Sequence, residues 1–175
     1  MEFIKKNRSA AAIILVAVVV LSVFLGSFRS VSQLESTVER EFSKKDRFGE
    51  TVSSTVDMLS RHISTFVMGY KASLGDCAEI NILLECTEQL IESDNGISHA
   101  KVDIDAVRNA ATLMHQRLDA SDNYLPEAKA AFAGIDNDIS ILKKYDGYNA
   151  AAKKYNDASE SFVGKLFGMG KAIEF

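Results

Sequence analysis

The sequence predicts an all-α protein: an N-terminal transmembrane helix followed by an elongated antiparallel four-helix bundle. Three observations predict it. The 175 residues include one proline and no tryptophan, so few positions force a turn or break a helix. Residues 9–28, SAAAIILVAVVVLSVFLGSF, carry no charge, and in helix they extend about 30 Å, the thickness of a bilayer's hydrocarbon core. Beyond them, apolar residues recur at steps of three and four in several separate stripes, the pattern of helices that bury one face.

Residues 1–8, with Lys5, Lys6 and Arg8, read as a short cytoplasmic N-terminus, and 9–28 as an uncleaved span, because FLGSFRS lacks a small-x-small cleavage pattern. The nearer positive charges favour an inside N-terminus and an extracytoplasmic domain. Residues 29–166 then form the bundle and 167–175 an apolar C-terminal tail. About 145 residues beyond the span suit one domain.

Val31, Leu34, Val38 and Phe42, then Phe48, Val52, Val56, Leu59, Ile63, Phe66 and Tyr70 keep a coiled-coil-like seam and predict one long helix over 31–72. Gly49 is its weakest point. Gly75 and Asp76 end the pattern. A shorter helix follows over 77–93, with Ile80, Leu83, Leu84, Thr87, Leu90 and Ile91 inward, and DNG at 94–96 supplies its stop. Ser98 reads as the N-cap of a helix carrying Ile104, Val107, Ala111, Met114 and Leu118 and ending near Asp119. Pro126 suits a first helical turn, and Ala128, Phe132, Ile135, Ile139 and Leu142 form the last stripe. Its seam then slips. Tyr145, Tyr148, Ala152, Tyr155, Phe162 and Leu166 fall one residue earlier than the stripe's continuation, which predicts a local change of winding near Gly147 within one helix over 126–166.

The first and last helices would reach about 60 Å each and the middle two about 25 and 33 Å. With short loops, neighbours run antiparallel. The arrangement has four helices far from the bilayer and a two-helix stalk beside it, with Tyr148, Tyr155 and Phe162, spaced by sevens, along the stalk-side seam. The tail then finishes where the chain leaves the lipid, and Phe162, Leu166, Phe167, Ile173 and Phe175, set among Lys165 and Lys171, are candidate membrane-interface residues.

Tyr148–Asn149, Tyr155–Asn156 and Phe162, then KLFG at 165–168 and Glu174–Phe175, resemble the LemA family of membrane-anchored helical proteins. The resemblance covers the C-terminal third and matches the first half by architecture only; Val163 stands where that family typically has proline. It implies a single N-terminal span, an antiparallel helical bundle, and packing roles for Tyr148, Asn149, Tyr155, Asn156 and Phe162. The family brings no established activity with it.

Several function classes are disfavoured. A net charge of -4, mixed in sign, offers no basic face for nucleic acid. His62, His99 and His115 fall on different predicted helices, none in the Glu-x-x-His pattern of bundle metal sites. Asp76, Glu79, Glu85 and Glu88 read as a charged outer face. No phosphate loop or nucleophile elbow appears, so no catalysis and no cofactor are expected. Cys77 and Cys86, on one helix, stand about 13.5 Å apart, beyond disulfide reach unless the chain bends between them. The expected partners are the bilayer and another membrane or envelope protein, with homo-oligomerisation left open. The function expected is an envelope scaffold or protein-interaction module; the alternatives are an extracytoplasmic small-ligand sensor and an envelope-spanning coiled-coil linker.

Overall fold

A computed structural model of the chain describes residues 8–93, 95–98, 102–121 and 123–175, and the side chains of all of these but 8–11 and 163. Lys5, Lys6, Asp94 and His99 lie outside the described residues. Among the described residues the chain is all-helical apart from one minimal ladder. The elements are α1 (Arg8–Phe42), α2 (Val52–Leu74), α3 (Ala78–Glu92), β1 (Ile97–Ser98), α4 (Ile104–Asp119), α5 (Pro126–Leu142), α6 (Asp146–Ser159), α7 (Phe162–Leu166) and β2 (Lys171–Ala172).

The first helix has two unlike halves. Its apolar stretch is long enough to cross a membrane, and none of that stretch is buried in the protein. Past Arg29 the helix acquires a packed side, with Val38 and Phe42 buried.

From α2 to α5 the chain alternates direction. Gly69 of α2 lies against Ala128 of α5, Phe66 against Phe132 with ring centroids 5.8 Å apart, and His62 opposite Asp138 at 2.7 Å. Rising residue numbers on one helix thus meet falling numbers on the other. The same holds for α4 and α5, where Asp105 pairs with Lys143 and Arg108 with Asp136. Arg117 of α4 makes a two-pronged bond to Glu79 of α3, at 2.7 and 2.9 Å. Leu59, Ile63, Leu83, Met114, Leu118 and Ile139 are fully enclosed between these helices. A Cβ on Gly69 would sit 2.6 Å from that of Ala128, so glycine is what lets α2 and α5 approach here.

Several expectations are corrected. The helix expected over 31–72 is two helices, parted at 43–51. Asp46 breaks it: its carboxylate accepts from the N–H of Phe48 (2.7 Å) and of Glu50 (3.0 Å), and Gly49 takes φ +86°. These bonds hold a turn that competes with helix. A capping box between Thr51 and Ser54 then restarts it as α2. Phe48, assigned to the seam, is 78% exposed.

The helix expected over 126–166 is three, α5 to α7, and the seam slip marks a break at 143–145 rather than a change of winding. Seven helices are described where a transmembrane helix and a four-helix bundle are expected. The N-cap of α4 is Asp103, which accepts from the N–H of Ala106 (3.0 Å), and Ser98 lies in β1. On α3, Leu84 and Ile91 face outward, while Ile80, Leu83, Thr87 and Leu90 are buried as expected.

Despite its breaks the C-terminal half does return along α1. Phe42 meets Tyr148, and near the uncovered half Phe28 meets Phe167, with centroids 5.7 and 5.8 Å apart. The last residues then reverse. β2 pairs antiparallel with β1, Ile97 opposite Ala172 and Ser98 opposite Lys171, and Phe175 reaches Tyr148. The expectation that Phe175 ends beside the span is corrected accordingly: Phe167 occupies that level, and Phe175 lies against Tyr148, the residue that meets Phe42.

Candidate functional site

The two Tyr–Asn pairs of α6 sit where four segments converge. Tyr148 is 1% exposed, its ring tilted against Phe42 of α1 and Phe175 of the tail, both 5.7 Å away. Its hydroxyl donates to the carbonyl of Gly96 at 3.1 Å, and the same carbonyl accepts from the N–H of Ile173 at 2.9 Å. Both lone pairs of one buried oxygen are thereby used. Gly96 takes φ +87°, and a Cβ there would meet the Phe42 ring at 2.6 Å and the Tyr148 hydroxyl at 2.8 Å. Conformation and space both demand glycine. Burial, with the Glu174 carboxylate second, pushes the Tyr148 phenol well above its ordinary range.

Asn149 spans the α5–α6 break, its amide donating to the carbonyl of Leu142 at 3.2 Å. The same carbonyl accepts from the N–H of Tyr145 at 3.2 Å, so both its lone pairs are used in the turn after α5. Tyr155 is 2% exposed. Burial and then the facing Glu35 and Glu39 of α1 raise its phenol.

Asn156 holds the tail. Its Oδ1 accepts from the N–H of Ala172 at 2.8 Å, and its Nδ2 donates to the carbonyl of Ala172 at 2.9 Å and to Glu174 at 2.6 Å. The side-chain amide thus bonds Ala172 as a neighbouring strand would, on the side away from β1. Its orientation is dictated, because the Ala172 N–H can only donate.

The expected site residues divide into two groups. Ile173 is 3% exposed and Phe175 half-buried on Tyr148, so their assignment to a membrane interface is corrected: the β1–β2 ladder and the Asn156 clamp fold them back onto α6. Phe162 and Leu166 are 81% and 52% exposed. For Phe162 this corrects its place in the buried seam, because α6 ends at Ser159 and a turn at 160–161 separates it from α7. Phe167 edges onto Phe24 and Phe28 of α1, at 6.3 and 5.8 Å.

Where both long runs break, a cleft of about 600 Å³ opens, lined by Arg47, Phe48 and Glu50 from one break, Lys144 and Tyr145 from the other, and Ile141 at the end of α5. The Tyr145 hydroxyl is buried with no hydrogen-bond partner among the described residues.

The remaining titratable groups serve packing. Asp138 is 2% exposed, and His62 Nδ1 reaches its carboxylate at 2.7 Å. The antiparallel register of α2 and α5 makes this pair; its one trace in the sequence is a carboxylate adjoining Ile139 in an apolar stripe. His115 stacks on Phe132 and bonds the Tyr124 hydroxyl. Among the described residues no three His, Cys, Asp or Glu side chains converge as a metal site would require. Both cysteines are free thiols. Burial pushes Cys86 up to about 12, leaving it protonated and unreactive at neutral pH. Glu79 is held at about 2 by its bonds to Arg117.

Comparisons with protein-family models, curated proteins and solved structures found no match to this chain.

Proposed function

We propose that this chain is a single-pass membrane protein that presents an elongated helical rod at the bilayer surface and acts as an envelope scaffold or protein-interaction module, without catalysing a reaction. The observation that carries the reading is α1, one helix whose apolar half is nowhere buried and whose second half packs against α6 through Phe42 and Tyr148. In water that half would expose far more contiguous apolar surface than soluble monomers carry. Lipid is the solvent that suits it.

In this reading α2–α5 form an up-down-up-down four-helix bundle farthest from the bilayer, and the second half of α1 with α6 is the stalk. The anchor confines the rod to two dimensions, and its outer helix faces meet another membrane or envelope protein. The charge distribution around the span favours an extracytoplasmic bundle. The LemA-like spacing of the Tyr–Asn pairs belongs to the same proposal, contributing architecture rather than activity.

Alkaline carbonate washing of membranes carrying the protein should leave it in the pellet. Photocrosslinkers at the exposed Met68 and Leu113 should capture the same membrane or envelope protein repeatedly in intact cells. Release by carbonate would remove the anchor, and no capture from any helix face would remove the scaffold.

The cleft between the two breaks favours a second reading, a small-ligand sensor, since its volume is within the range ligand pockets occupy. A saturable thermal shift with a metabolite, abolished by Lys144→Ala, would support the sensor. Its absence across a broad panel leaves the scaffold.

A further inference from the structure

We propose that α7 and the turn after it are a second membrane contact, seated in the headgroup region beside the exit of the span, so that the rod is fastened to the bilayer at two points. This rests on the reading of α1 as a membrane anchor. The position of Phe167 carries it. Its ring lies 6.3 Å from Phe24 and 5.8 Å from Phe28, one helical turn apart on α1, or about 6 Å along its axis. The uncharged run ends at Phe28, with Arg29 next. If that run fills the hydrocarbon, Phe167 stands at or just below its edge, within the 5–10 Å depth that interfacial segments reach.

The chemistry of the segment agrees. Phe162 and Leu166 turn 81% and 52% of their surface away from the protein, with an exposed Lys165 between them at the level where lipid phosphates lie. Among the described residues no helix buries this face, and it is continuous with the exposed Leu25 and the outward side of Phe28 (69% and 59% exposed). The chain stays at this level only briefly. Gly168 takes φ +62°, and by Lys171 the tail is paired with β1. A loop that touches the bilayer and is tied at both sides to the stalk restrains the tilt of the rod, which one flexible span could not do. A bilayer is favoured over a second copy of the chain because α1 necessarily brings lipid to this face.

The chain has no tryptophan, so single-tryptophan variants of the full chain report without background. Phe162→Trp, Leu166→Trp, Leu15→Trp in the span and the exposed Phe48→Trp at the break would each be reconstituted in vesicles of phosphatidylcholine brominated at shallow or deep acyl positions. Leu15→Trp should be quenched most by deep bromines. Phe162→Trp and Leu166→Trp should emit blue-shifted and lose most intensity to shallow bromines, while Phe48→Trp emits as in water. Water-like, unquenched emission at 162 and 166 alongside a quenched Leu15→Trp overturns the second contact and leaves the anchor. An unquenched Leu15→Trp overturns the anchor itself. A blue shift at 162 that bromine does not quench, and that disappears when the protein is diluted in lipid, would assign the face to a second copy instead.

Discussion

Replacing Asn156 with alanine should release the C-terminal tail without unfolding the rest. Two of the amide's bonds go to the backbone of Ala172, one accepted at 2.8 Å and one donated at 2.9 Å, and Ala172 is 4% exposed. A typical intramolecular hydrogen bond contributes about 0.5–1.5 kcal/mol net, so losing both costs about 1–3 kcal/mol. At 1.36 kcal/mol per tenfold, that is about a 5- to 150-fold rise in the open population of the tail. Native-state hydrogen exchange reads this directly. The Ile173 amide, which donates to Gly96, and the Ala172 amide should lose protection by that factor. Amides in the middle of α2 and α5, far along the chain from the Asn156 clamp, should keep theirs. Unchanged exchange at 172 and 173 would show that β1 and the Phe175–Tyr148 contact hold the tail unaided. An equal loss across α2 and α5 would show that the tail is not a separable unit, and either result refutes the clamp.

The other variants probe the surrounding packing. Tyr148→Phe should cost about 1 kcal/mol in chemical denaturation through the lost bond to Gly96, and Tyr148→Ala about 3–5 kcal/mol through the cavity left between Phe42 and Phe175; near-neutral effects would place the ring on a recognition surface instead. His62→Ala leaves the Asp138 carboxylate buried without its partner and should destabilise by about 1–3 kcal/mol, lowered from the fully buried case because His62 is 38% exposed; adding Asp138→Leu should recover much of the loss by removing the stranded charge. In the native protein a thiol reagent should modify Cys77 and leave Cys86 untouched until denaturant is added. The Cys86 thiol ionises at about 12 when folded against 9.0 when unfolded, so its contribution to stability is whole below pH 9 and is lost as pH rises from 9 towards 12. Cys86→Ala should therefore flatten the fall of the denaturation midpoint over that window, and an unchanged slope would contradict it.

Helix faces were legible because they are set by local periodicity. Val56, Leu59, Ile63 and Phe66 on α2, or Val107, Met114 and Leu118 on α4, announce a buried stripe whatever they pack against, and all are buried. The breaks were half-legible. The seam slip near Gly147 located one, yet slip and break leave the same apolar spacing, and only the folded backbone tells them apart, with Tyr145 at ψ +68° and Asn149 reaching back to Leu142. At 43–51 the stripe ran on through Phe48, and the Asp46 turn, built from bonds two and four residues away, overrode it.

By itself, then, the sequence determined that the chain is helical, that one apolar segment of membrane length leads it, and which side of most helices is buried. All three depend on residues within a few turns of one another. Tertiary structure alone decided that Asn156 holds the tail, that Gly96 receives Tyr148 across fifty-two residues, and that Phe175 folds back while Phe167 stays beside α1. Each of those outcomes is a hydrogen bond or ring contact between segments far apart in the chain. Its geometry is set only when α1 and α6 bring the partners together, and no local pattern of residues encodes that meeting.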